Sequence, residues 1–88
     1  MRIHARFVGK VQGVGFRATA RALAGRHPLS GWVRNEPDGS VTLECQGSRE
    51  AIDAFLNDLD ELVHTLVQHR HTMGVPELAG EQGFIIQR

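Results

Sequence analysis

The residues whose types and spacing could do chemistry lie in two short stretches, GKVQGVGFR at positions 9–17 and GWVRN at 31–35. Gly13 and Gly15 carry no Cβ, so the backbone N–H groups around them can turn inward and come close to a ligand. A helix predicted to start near Phe16 leaves its first N–H groups without partners and points its positive dipole end at the same loop. Arg17 adds a permanent charge and a planar fork of donors that matches phosphate or carboxylate. Amides of Gln12, Gly13, Val14, Gly15, Phe16 and Arg17, together with the Arg17 guanidinium, would make an oxyanion socket. Asn35 offers a carbonyl acceptor and amide donors, enough to hold a water.

The elements that would position these groups follow from periodicity and turn chemistry. Residues 2–8 alternate, with Ile3, Ala5 and Phe7 on one face, which predicts a half-buried strand. Residues 16–25 predict a helix with Phe16, Ala20, Leu23 and Ala24 inward, closed by Gly25 and barred by Pro28. A strand through Trp32 and Val33 ends near Asn35, and Glu36-Pro37-Asp38-Gly39 forms a turn. Val41, Leu43 and Cys45 define the inner face of a third strand. Ser48 would cap a second helix reaching about Leu62, with Ile52, Phe55, Leu56, Leu59 and Leu62 facing the core. A fourth strand is expected from Val63 to about Thr72, a loop over 73–82, and a short last strand from Phe84 to Gln87. The order is that of an α+β, ferredoxin-like split βαβ fold (βαββαβ plus a short C-terminal strand), with an antiparallel sheet and two helices on one face. In such a fold the first two strands run parallel with another between them, which brings Asn35 beside the 9–17 loop.

Composition narrows the partners. Eighty-eight residues suffice for one domain with one core, residues 1–88. Ten basic and ten acidic residues cancel, so no overall field draws the chain to nucleic acid or an anionic membrane. A positive field must then be local, with Lys10, Arg17 and Arg34 as candidate sources. The absence of Tyr also argues against an RNA-stacking sheet face. The single cysteine, Cys45, excludes an intrachain disulfide, fits a reducing compartment, and reads as a small core hydrophobe. With no long apolar run, the expectation is a cytoplasmic, soluble monomer. His64, His69 and His71 invite a metal reading, but no cysteine or evident acidic ligand accompanies them, so no metal is expected. Trp32 reads as packing and Gln12 as either a loop brace or a ligand contact.

The two stretches resemble the signatures of the acylphosphatase family, with Gly39, Val41 and Gly47 following at the family's spacing. The resemblance implies a small hydrolase of the carboxyl–phosphate anhydride in acyl phosphates, acting without metal or cofactor and releasing inorganic phosphate. It further implies that Arg17 is the phosphate-binding catalytic residue and that Asn35 positions the attacking water. Similar domains occur fused within hydrogenase-maturation carbamoyltransferases, but no zinc-binding or transferase region is seen in these residues. An anion-binding module without turnover is the reading from another class.

The chemistry is consistent with so few groups. The departing carboxylate has a conjugate acid of pKa about 4, so no general acid is needed. Phosphoryl transfer then asks for positioning and for stabilisation of charge on the equatorial oxygens.

Overall fold

The computed structural model describes all residues, 1–88, in the order β1 (Arg2–Gly9), α1 (Phe16–Ala24), β2 (Ser30–Asn35), β3 (Val41–Gln46), α2 (Arg49–Val63), β4 (Val67–Gly74) and β5 (Phe84–Ile86). The strands form one sheet in the order β4-β1-β3-β2-β5. Pairing is antiparallel except at β2–β5, which is parallel, so the expected antiparallel sheet is a mixed one. No helix is long and apolar enough to cross a membrane.

The alternation in β1 holds. Ile3, Ala5 and Phe7 are buried beneath the helices together with Val33, Leu43 and Cys45. The inward stripe of α1 is the expected one, Phe16, Ala20, Leu23 and Ala24. Phe16 meets Phe7 at a ring-centroid distance of 4.9 Å, which pins the start of α1 over the end of β1. Burying a side chain of that size is worth roughly 1.5–3 kcal/mol. Just beyond the end of α1, His27 lies 3.0 Å from Asp58 within α2 and ties the two helices together.

The second helix departs from expectation at its end. Leu62 is 62% exposed, and Val63 is buried in its place. A stripe running through Ile52, Phe55, Leu56 and Leu59 continues to Val63 four residues on, since that step returns closest to the same face. Acidic residues near a helix C-terminus oppose its dipole, and two of the three there have partners outside the helix: Asp58 meets His27, and Asp60 accepts from Arg70 at 2.6 Å. Residues 64–66 are a turn, and β4 therefore starts at Val67 and runs to Gly74, later at both ends than predicted.

Register fixes where the two candidate stretches meet. Phe7 of β1 and Asn35 of β2 both pair with Val41 of β3, so they lie at one level of the sheet. Two strand spacings separate them, roughly 10 Å. The chain leaving β1 at Gly9 therefore enters its loop beside Asn35.

A second layer lies on the face of the sheet away from the helices. Arg2, only 2% exposed, donates from Nε to Glu44 at 2.8 Å and from Nη1 and Nη2 to Glu81 at 2.6 and 3.1 Å. Ser30 also donates to Glu81, at 2.8 Å, and Leu78 exchanges hydrogen bonds with Gln46. These contacts fasten the 75–83 loop across the sheet. Hydrogen bonds from Arg2 and Ser30 hold Glu81 below its ordinary carboxylate range. For Glu44 burial pushes upward, but hydrogen bonds from His4 and Arg2 outweigh it and the net shift is down.

Candidate functional site

The loop between β1 and α1 is built to expose amides. Gly13 and Gly15 have φ of +75° and +81°. An L-residue would pay about 1–2 kcal/mol for that conformation. Beyond the adjoining residues, no atom lies within 4 Å of where a Cβ would stand at either position, so the demand for glycine is conformational rather than steric. Gly15 is also the N-cap of α1 and brings no side chain to satisfy the helix start, and the first turn holds no acidic residue. From Val11 to Ala18 no backbone N–H donates to an acceptor in the chain; the first that does is Thr19, to Gly15 O at 2.9 Å.

The loop is braced from the side. Gln12 Nε2 donates to Glu36 O at 2.7 Å and Ser40 O at 2.9 Å. Those carbonyls belong to the turn that follows Asn35, so one side chain ties the amide loop to the segment carrying the second candidate residue. Of the two roles open to the Gln12 side chain, the structure supports the brace.

A cleft of about 240 Å³ lies at this junction. Gly13, Gly15, Phe16, Arg17 and Asn35 line it, whereas Gln12 and Val14 do not; Val14 is 48% exposed. Arg17 is half-buried and takes part in no ion pair or hydrogen bond, and the Asn35 amide is likewise uncommitted. A cleft lined by residues whose amides lack acceptors, together with a free guanidinium and a free carboxamide, can hold a tetrahedral oxyanion and a polar neighbour.

Two of the expected local charges are elsewhere. The Arg34 guanidinium lies 4.6 Å over the Trp32 ring and donates to Glu36 at 2.9 Å, on the sheet face away from α1. Hydrogen bonds from Thr42 and then Arg34 hold Glu36 below its ordinary range. Lys10 is exposed and does not line the cleft. The positive contribution that sequence reading missed is Arg88, which lines the cleft with Ile86. The parallel β5 is responsible: Val33 pairs with Ile86, and continuing that register by two residues brings Arg88 level with Asn35. No motif around Arg88 signals this; it depends on a strand only three residues long.

His69 and His71 lie with rings 6.2 Å apart on edge strand β4, and no three His, Cys, Asp or Glu side chains are grouped as a metal site. Cys45 is fully buried, and burial pushes its thiol up to about 12, which suits a packing residue and not a nucleophile.

Fold and cleft together define an α+β, ferredoxin-like domain with a cleft at the loop between its first strand and first helix, lined by Arg17 and Asn35. The family model described as Acylphosphatase matches residues 3–84, nearly the whole chain. The chain belongs to the acylphosphatase family. It is 48% identical over 60 residues to an acylphosphatase of Salinibacter ruber, an alignment covering 68% of this chain and 63% of that relative. The match thus spans somewhat under two thirds of the relative's length. Among solved structures, an acylphosphatase from Bacillus subtilis superposes with a TM-score of 0.88 at 27% identity, covering 99% of this chain and 98% of the other. HypF of T. kodakarensis superposes with a TM-score of 0.85 at 28% identity, covering all of this chain but only 12% of that protein.

Proposed function

We propose that residues 1–88 form a single catalytic domain that hydrolyses acyl phosphates to carboxylate and inorganic phosphate, without metal or cofactor. The observation that carries this reading is the run of unpartnered amides from Val11 to Ala18, most of whose residues line a cleft that also holds an unpaired Arg17 and a free Asn35 amide. The amides from Gln12 to Arg17 and the Arg17 guanidinium bind the phosphoryl oxygens and stabilise the charge that builds on them. Asn35 holds a water in line with the phosphorus. Its amide is no base at neutral pH, so the water's proton passes to a phosphoryl oxygen of the substrate itself. The carboxylate leaves without protonation. Family membership supports the reaction class, and the lone buried thiol of Cys45 suits the reducing cytoplasm, where the domain would act as a monomer.

The test is hydrolysis of acetyl or carbamoyl phosphate in the presence of a chelator, run beside a phosphate monoester. Anhydride cleavage with an inert monoester is expected. Phosphate binding without cleavage of either would instead make the domain an anion-binding module.

A further inference from the structure

The cleft does not stop at Arg17. A shallower groove of about 410 Å³ continues from it along the exposed side of α1 and shares Ala18 and Ile86 as walls. Arg21 and Arg26 line this groove, and neither cavity has an Asp or Glu in its lining. The distribution of basic side chains across the molecule makes this notable. Arg2, Arg6, Arg34, Arg49 and Arg70 each have a carboxylate partner. Of the five that have none, only Lys10 lies away from the joined cavities; Arg17, Arg21, Arg26 and Arg88 all line them. In a chain with equal numbers of acidic and basic residues, this gathers most of the unpaired positive charge along the two adjoining cavities.

The phosphoryl group alone does not use both cavities. Arg21 stands one turn beyond Arg17 on the same helix, about 6 Å further along its axis. A group bound there is attached to the carbon side of the anhydride. We infer that the groove is the acyl-group subsite and that it favours acyl phosphates whose acyl part carries a second carboxylate. Arg21 is the nearest partner for that carboxylate, and Arg26 reinforces the field behind it. The inference rests on the phosphoryl group occupying the amide cradle, as proposed above. Both arginines are exposed, so the attraction is screened by salt and acts on binding more than on the chemical step.

The test compares benzoyl phosphate with 4-carboxybenzoyl phosphate, whose rigid ring keeps the second carboxylate from attacking the anhydride. At low ionic strength the wild-type protein should favour the carboxylated substrate by about fivefold in kcat/KM, mostly through KM, as one or two solvent-exposed charge pairs would give. The preference should shrink as salt is added. In the Arg21→Gln, Arg26→Gln double variant the preference should vanish while kcat on benzoyl phosphate is kept. Equal kcat/KM for the two substrates in the wild type, or a preference that survives in the variant, overturns the subsite and leaves the hydrolase reading standing. Cleavage of neither substrate overturns both.

Discussion

The two helices of this molecule begin in opposite ways. At the start of α2, Ser48 caps the helix by accepting from Ala51 N at 3.1 Å, and Glu50 sits in the first turn. At the start of α1 a glycine stands at the cap, no side chain accepts, and no acid faces the dipole. The chain completes one helix from its own residues and leaves the other for something external. The arginines repeat the contrast. Arg2 is buried with carboxylates on both sides, while Arg17, at the open helix start, has none. At the buried Arg2 the protein closes its own electrostatics; at the proposed site it leaves them open.

Breaking the open side should cost activity and little stability. Arg17→Ala is expected to lower kcat/KM for acetyl phosphate by about 10³-fold, or about 4 kcal/mol, with the melting temperature nearly unchanged. A comparable fall in stability would mean that Arg17 is structural after all. Breaking the closed side should do the reverse. Arg2→Met leaves Glu44 and Glu81 without their cation and should reduce unfolding free energy by about 2–4 kcal/mol in urea titration, with kcat of the folded fraction retained.

The same substitution has a pH signature. Glu44 and Glu81 are both held below their ordinary 4.5 in the folded protein. Their contribution is complete above pH 4.5 and drains away as the pH falls through the lower, folded values. The wild type should therefore lose stability steeply on acidification below that point, and Arg2→Met more gently.

Smaller effects sharpen the contrast. Asn35→Ala should lower kcat by about 10²-fold while inorganic phosphate still binds, because in the proposed mechanism it removes the group that steers water and leaves the amides in place. Far weaker phosphate binding by that variant would count against the water-positioning role. Ser48→Ala should cost about 1 kcal/mol of stability and leave turnover alone, the expected result for a cap that serves only its own helix.

Much of this was legible in the sequence because it is local. The alternation of Ile3, Ala5 and Phe7, the Pro37-Asp38-Gly39 turn and the stripe of α1 each declare themselves within a few residues, and the element order then brings Asn35 to the loop. The end of α2 was misread because Leu62 and Val63 are both apolar and only packing chooses between them. β4 was hard to delimit because seven of its eight residues are exposed, leaving no alternation to read. Arg88 was missed for a different reason: its position depends on the parallel pairing of β5 with β2, a contact between residues over fifty positions apart.

That pairing has a practical side. Since β5 delivers residue 88 to the rim of the cleft, any polypeptide appended after it, such as a fused neighbour or a purification handle, would emerge beside the cradle. Met1 is tied elsewhere, its carbonyl accepting from Gly47 N at 3.0 Å and its ammonium lying 3.5 Å from Glu77. Handles and fusions are therefore better placed ahead of β1, where they leave the entrance clear.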